Sequence, residues 1–146
     1  MTNFVMVILF FMSSSIYAQK TISTSYFSFK CNCFEVENSY NPLNKSYNYS
    51  YQTNDGKSIY MLSIKASTLN SEEFLKAIKD SGTFSYKNTK FKGLDAITAD
   101  MVIEGQFGKH IGFFRKGKGY SIMIASYSKE SLDLLSPKFH DSFTFK

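Results

Sequence analysis

The chain has 146 residues, 17 of them basic and 12 acidic, which gives a formal net charge of +5. This length fits a single domain of ordinary size. Two cysteines are too few for a disulfide-rich scaffold. The basic residues are scattered, whereas a nucleic-acid-binding protein clusters them, so no nucleic acid is expected as a partner.

Residues 1–18 contain no charged side chain and hold an apolar run followed by the serines Ser13 to Ser15. This order, with the small residue Ala18 at the cut, is typical of a secretory signal peptide. A membrane-spanning helix needs about 20 apolar residues. We therefore predict cleavage after Ala18, a secreted or periplasmic location, and a single domain over residues 19–146 without a stable membrane span. Retention of the segment as a tether is the alternative.

The first predicted strand runs from Tyr26 to Val36. Its apolar and polar residues alternate at first, which places on one buried face Phe27, Phe29, Cys31 and Cys33. The apolar phase shifts after Cys33, which predicts a bulge or a strand end there. Residues 37–46 are predicted to form a loop.

Two strands rich in tyrosine follow, joined by the turn Asn54-Asp55-Gly56, which is a strong hairpin signal. Tyr47, Tyr49 and Tyr51 alternate with polar residues in the first strand, and Tyr60 lies on the apolar face of the second. A sugar-binding platform is one interpretation of these tyrosines. Cross-strand packing on a partly exposed sheet is the favoured one.

A helix is predicted to begin after Asn70 and to end at Gly82. Asn70 is a suitable N-cap, and Glu73 stands three residues later, as in a capping box. Gly82 supplies the left-handed conformation that ends many helices. Phe74 and Ile78 belong to one apolar stripe, so we expect this helix to lie on the sheet.

The region from Thr83 to Tyr127 is predicted to consist of strands separated by turns, and Lys116–Gly119 closes the last hairpin. Ser128 then caps a second helix, which Pro137 should interrupt because proline lacks the N–H group. A short strand, Phe143 to Phe145, follows. The chain is thus predicted to be α+β, with a twisted antiparallel sheet covered by two helices after the signal peptide.

This order of elements resembles the Mog1/PsbP-like family, most clearly near the carboxyl terminus. There, a lysine- and glycine-rich hairpin leads into an apolar strand, a polar turn, a helix, a phenylalanine and a Ser-Phe-hydrophobic strand. The corresponding segments are Lys116–Gly119, Tyr120–Ala125, Ser126–Lys129, Leu132–Leu135, Phe139 and Ser142–Phe145. Tyr26–Lys30 also looks like the family's first strand, although Cys31–Phe34 stands where the family usually has a Pro-x-Gly-Trp-like turn.

The resemblance implies a sandwich of twisted antiparallel sheet and helices, as in the small exported members of the family. It also implies an accessory or binding role without enzymatic activity. The family has no shared catalytic apparatus, so the resemblance assigns no catalytic, cofactor-binding or metal-binding residue, and we expect no cofactor.

Cys31 and Cys33 are the only cysteines in the sequence. Residues two apart in an extended strand have Cα atoms about 6.6 Å apart, at the edge of the range that a disulfide spans. Three interpretations stay open: two inward-facing thiols packed as small apolar groups, a local or intermolecular disulfide, and a redox or copper(I)-binding dithiol.

No other pattern indicates a reaction. The sequence contains neither a Gly-x-Ser-x-Gly elbow nor a phosphate-binding loop with Gly-Lys-Ser/Thr. His110 and His140 have no second ligand at metal spacing, and both are expected at the surface.

The densest basic spot combines Lys109 with Arg115, Lys116 and Lys118. It is a candidate contact for an anionic glycan or a phospholipid head group; a lysine-flanked turn that keeps the hairpin soluble is the alternative. The leading hypothesis is an exported, non-catalytic accessory protein that binds a protein or another envelope component. The second is a periplasmic redox or copper-handling protein that uses its Cys-x-Cys pair.

Overall fold

The computed structural model describes residues 19–146, and the predicted signal peptide lies outside the described residues. The described elements are β1 (Lys20–Ser23), β2 (Phe27–Cys31), β3 (Cys33–Asn41), β4 (Ser46–Thr53), β5 (Ser58–Ala66), α1 (Ser71–Asp80), β6 (Lys87–Phe91), β7 (Leu94–Ile103), β8 (Gln106–Arg115), β9 (Lys118–Ser126), α2 (Lys129–Ser142) and β10 (Thr144–Phe145). The α+β class and the two helices are confirmed.

The prediction of one sheet is wrong, because the strands form two antiparallel sheets. The order is β1-β2-β10 in the three-stranded sheet and β3-β4-β5-β9-β8-β7-β6 in the seven-stranded sheet. The predicted strand Tyr26 to Val36 bends at Asn32 and contributes to both sheets. Asn54 holds the bend: its N–H donates to the carbonyl of Asn32 at 3.0 Å, and its Nδ2 donates to Oδ1 of Asn32 at 2.6 Å.

An aromatic core fills the space between the two sheets and α2. The ring of Phe139 on α2 lies 5.0 Å from that of Phe29 in the small sheet and 5.6 Å from that of Tyr60 in the large one. Tyr49 and Tyr51 are buried in the same cluster. The packing interpretation is therefore confirmed for Tyr49, Tyr51 and Tyr60, whereas Tyr47 is exposed, and aromatic contacts join the two sheets and α2.

Helix α1 covers part of the other face of the seven-stranded sheet. Its predicted capping box is present, since Oδ1 of Asn70 accepts from the Glu73 N–H at 2.9 Å and Oε2 of Glu73 accepts from the Asn70 N–H at 3.0 Å. Gly82 has the predicted positive φ, 69°. Phe74 packs over Gly119 of β9, which attaches the first turn of α1 to the sheet.

Two predicted boundaries are wrong. β3 extends to Asn41, which shortens the predicted loop to residues 42–45. The polar sequence of this segment has weak strand propensity, but pairing with β4 satisfies its backbone hydrogen-bonding groups. Helix α2 continues through Pro137. Leu132 and Phe139, on either side of this proline, are buried in the same core and hold both halves of the helix in place.

Candidate functional site

The seven-stranded sheet has two ends at which its loops gather, and one of them collects cations. We call this the basic end and define it by the loops 24–26, 42–45 and 67–70 and by the hairpin segment 115–118. Strand register brings these segments together: Ser46 is paired with Lys65, and Ala66 with Lys118. The Ser67 N–H also donates to the carbonyl of Gly117 at 3.0 Å.

The cations of the basic end come from three separate parts of the sequence. They are Lys45, Lys65, Arg115, Lys116 and Lys118. Within residues 19–146, none of these side chains forms an ion pair. None of these five cations is therefore within ion-pair distance of a carboxylate of residues 19–146.

Only part of this cluster can be predicted from the sequence. Lys45 and Lys65 join it because the pairing of β4, β5 and β9 places them beside the hairpin. Lys109, in contrast, lies in the middle of β8, and its Nζ is 3.5 Å from Oδ1 of Asp100. The structure thus brings Arg115, Lys116 and Lys118 together and leaves Lys109 apart from them.

The β8–β9 turn and its aromatic neighbours position these cations. Lys116 and Gly117 have φ values of 48° and 73°, which allows a tight turn that projects into solvent. The guanidinium of Arg115 lies 4.3 Å from the ring centroid of Phe145, and Nζ of Lys118 lies 6.0 Å from that of Tyr26. Both contacts are within cation–π range.

A row of tyrosines adjoins the cations. The ring centroid of Tyr47 lies 5.1 Å from that of Tyr26 and 4.7 Å from that of Tyr40. Burial and then the Tyr47 hydroxyl raise the pKa of Tyr26 to about 12, so this phenol stays neutral near pH 7. The row therefore adds apolar, hydrogen-bonding surface beside the cations.

Two exposed leucines complete the surface. Leu43 in the 42–45 loop is 94% exposed, and Leu69 in the 67–70 loop is also exposed. The carboxylates near these loops are directed to other groups: Glu73 accepts from the Asn70 N–H, Asp95 pairs with Lys90, and Glu72 borders the groove that also contains Lys76 and Lys79. The basic end thus combines free cations, tyrosines and exposed leucines.

The opposite end of the sheet holds Cys31 and Cys33, which form a disulfide. Their Cα atoms are 5.3 Å apart, closer than in an extended strand, because the chain bends at Asn32 between them. Both residues belong to the buried core. Of the three interpretations, the structure shows a local disulfide packed inward, and it offers no free thiol for redox or copper chemistry.

The prediction that His110 lies at the surface is wrong, since this residue is only 8% exposed. The Tyr86 hydroxyl lies 2.9 Å from Nδ1, and the Ser121 hydroxyl lies 2.6 Å from Nε2. Burial lowers the pKa of this imidazole. One signal in the sequence points to this position: Gly108 and Gly112 flank it at i−2 and i+2, and strand residues at that spacing share a face.

His110 and Ser121 form part of an open groove of about 330 Å³ that also includes Glu37, Met61 and Met123. Both ring nitrogens of His110 already have hydrogen-bond partners, so neither is available as a metal ligand without rearrangement. No group of three or more His, Cys, Asp or Glu residues that could hold a metal occurs in the part of the chain that the structure describes. In the same part, no helix is long and apolar enough to cross a bilayer.

Comparison with solved structures finds the same fold in cyanobacterial PsbP (CyanoP) from Synechocystis, determined in solution. The TM-score is 0.58 at 12% sequence identity, and the match covers 92% of this chain and 96% of the other. At this identity the likeness establishes the fold alone: the chain has a PsbP-like fold, as the family resemblance implies. No protein-family model and no curated protein matches the chain.

Proposed function

We propose that the protein is an exported, non-catalytic accessory protein that binds an anionic component of the cell envelope through its basic end. The observation that carries this proposal is the cluster of unpaired cations beside exposed tyrosines and leucines. The PsbP-like fold supports it as the fold of an accessory protein. The signal-peptide pattern of residues 1–18 supports export.

The charge distribution favours an anionic partner. Lysines that only keep a hairpin soluble need not come from separate segments. Here the 42–45 loop, β5, β8 and β9 each place a cation at the same end of the sheet. Like charges repel one another when they lie within about one Debye length, which is about 8 Å in physiological salt. An anionic partner relieves that repulsion, which is the physical basis of the proposed binding.

The thiol-dependent alternative is not favoured. Both cysteines are engaged in the Cys31–Cys33 disulfide, and both are buried. A copper(I) site or an attacking thiolate needs a deprotonated, accessible sulfur.

Binding of the purified protein to a native envelope fraction tests the proposal. The charge-reversed variant Lys116→Glu/Lys118→Glu should bind about tenfold or more weakly, because each lysine near an anionic surface contributes about 1 kcal/mol. Rising salt should weaken wild-type binding in parallel.

A matched control reverses two cations at the other end of the sheet. Lys57 lies in the β4–β5 turn, and Lys138 on α2 lies beside Asn54 and Asp55. The variant Lys57→Glu/Lys138→Glu has the same net charge as the test variant and should bind like wild type. Equal loss in both variants would show that only net charge matters, and unchanged binding in both would refute the proposed surface.

A further inference from the structure

We infer that the anionic component is the surface of a lipid bilayer containing anionic lipids, and that the basic end docks on it with Leu43 inserted below the head groups. This inference rests on the proposed function and specifies its partner. It follows from three properties of the basic end that coincide: an apolar tip, an aromatic row and unpaired cations.

The apolar tip is Leu43. At 94% exposure it has the highest exposed fraction among the large hydrophobic residues of the described chain. It lies in a short loop between the antiparallel strands β3 and β4, so it projects beyond the end of the sheet. Leu69, also exposed, lies in the neighbouring 67–70 loop. A leucine in this position gains little from the folded protein and more from an apolar medium outside it.

The aromatic row lies next to this tip. Tyr40 precedes the loop and is 50% exposed, and Tyr47 follows it and is also exposed. Tyrosine is enriched where one end of a side chain meets an apolar phase and the other meets water, as at a membrane interface. From its tip inward, this end of the protein presents Leu43, then the tyrosines, then the body of the sheet. A bilayer surface has the matching order from inside to outside: the acyl boundary, the head groups, and water.

The cations supply attraction to anionic head groups. Lys45 lies in the same loop as Leu43, and Lys65, Lys116 and Lys118 lie on neighbouring segments of the same end. Basic residues beside an apolar insertion increase binding to anionic bilayers by adding their electrostatic attraction to the hydrophobic gain.

A lipid surface fits this arrangement better than an acidic polysaccharide does. A sugar chain uses aromatic faces and hydrogen-bonding groups, which leaves a leucine at the tip without a role. A bilayer accommodates all three properties at once, because its charge lies above its apolar layer. Because the loops at one end of the sheet project in the same direction, they also contact a flat surface at the same time.

The other end of the sheet offers a matched apolar control. Val102 is 65% exposed near the β7–β8 turn, which lies at the disulfide end. The lysines near it, Lys109 and Lys129, are paired with Asp100 and Asp133, so this site offers no unpaired cluster of cations. Removing the apolar side chain at Val102 should therefore leave membrane binding unchanged.

Co-sedimentation with protein-free vesicles tests the inference. We expect the wild-type protein to bind vesicles of phosphatidylcholine mixed with phosphatidylglycerol and to bind pure phosphatidylcholine vesicles much more weakly. Leu43→Ser should weaken binding to the anionic vesicles about tenfold, as expected when one leucine insertion is lost. Lys116→Glu/Lys118→Glu should weaken it at least as much, whereas Val102→Ser should bind like wild type.

Three outcomes would overturn the inference. If the wild-type protein ignores anionic vesicles but still binds the envelope fraction through Lys116 and Lys118, the partner is a wall polymer or a protein, and only the proposed function stands. If Leu43→Ser binds vesicles like wild type, the contact is electrostatic without insertion. If neither vesicles nor envelopes show dependence on these lysines, the proposed function fails as well. Circular dichroism of each variant checks folding, which an exposed position such as Leu43 should not disturb.

Discussion

The disulfide end and the basic end are both made of tight connections between antiparallel strands, but their polar side chains are used differently. At the disulfide end, Oγ1 of Thr53 donates to Oδ1 of Asp55 at 2.6 Å, and Oγ of Ser58 donates to Oγ of Ser126 at 2.9 Å. Asn54 is bonded to Asn32 by backbone and side chain. At the basic end the lysines have no described carboxylate partner.

The comparison separates stability from binding. Hydrogen bonds within the disulfide end, together with the covalent link, restrain strands of both sheets. Exposed cations and a projecting leucine add little to the folded state, because solvent already surrounds them. Changes at the disulfide end should therefore alter the free energy of unfolding without affecting binding, and changes at the basic end should do the reverse.

Gly119 is the largest expected exception, because it adjoins the basic end but supports a packing contact. A methyl group there would overlap ring carbons of Phe74 and push the start of α1 off the sheet. Gly119→Ala should lower the free energy of unfolding by about 1–3 kcal/mol, the usual cost of overpacking. Urea denaturation followed by circular dichroism measures this change.

Two comparisons check the cause of that loss. The cost of Gly119→Ala should largely disappear in a Phe74→Ala background, as a double-mutant cycle would reveal. Gly112→Ala should cost less, since its methyl group would stand 3.0 Å from Cδ1 of Ile78, the movable tip of a side chain. A Gly119→Ala protein as stable as wild type would mean that α1 is not held there by Phe74.

Removal of the disulfide tests whether the disulfide end contributes to stability but not to binding. The double variant Cys31→Ala/Cys33→Ala should lower the free energy of unfolding by about 1.5 kcal/mol, because the linked loop is very short and its closure entropy is small. Binding to anionic vesicles should stay at the wild-type level. A loss of vesicle binding in a variant that is still folded would contradict the separation of the two ends.

The local elements could be predicted because short stretches of sequence determine them. Asn70 and Glu73 form their capping box within one turn of helix, and Asn54-Asp55-Gly56 makes a hairpin from adjacent residues. These signals depend on backbone conformation and on hydrogen bonds over three or four residues. The family resemblance, carried by the order of elements, led to the correct fold.

The basic end could not be predicted in full because it depends on register between distant strands. Lys45 and Lys65 lie at the same end of the sheet as Lys118 only because of the pairing of β4, β5 and β9. The phase shift near Cys33 predicts a strand end close to the bend at Asn32, but it does not predict that the chain passes from one sheet to the other there, since the contact with Asn54 that fixes the bend joins two different strands. The path of α2 through Pro137 likewise depends on burial of Phe139 in a core that local propensity does not reveal.

The smallest predicted effect is a change in how the free energy of unfolding depends on pH. It concerns His110, which is buried between the two ends of the sheet. Burial lowers the pKa of its imidazole, whereas in the unfolded chain the pKa is about 6.5. Between those two pKa values the unfolded state binds more protons than the folded state does. The contribution of His110 is therefore fully present above about pH 6.5 and is lost as the pH falls, with a limiting slope of about 1.4 kcal/mol per pH unit.

The variant His110→Gln isolates this effect, because glutamine does not titrate while the half-exposed His140 is present in both proteins. The wild-type free energy of unfolding should fall between about pH 7 and about pH 5.5 by more than that of the variant. Asp55 does not interfere: the hydroxyl of Thr53 lowers the pKa of its carboxyl, so its contribution is lost only at more acidic pH. Parallel pH profiles for the two proteins would show that the Tyr86 and Ser121 hydroxyls accommodate a charged imidazole in the folded state.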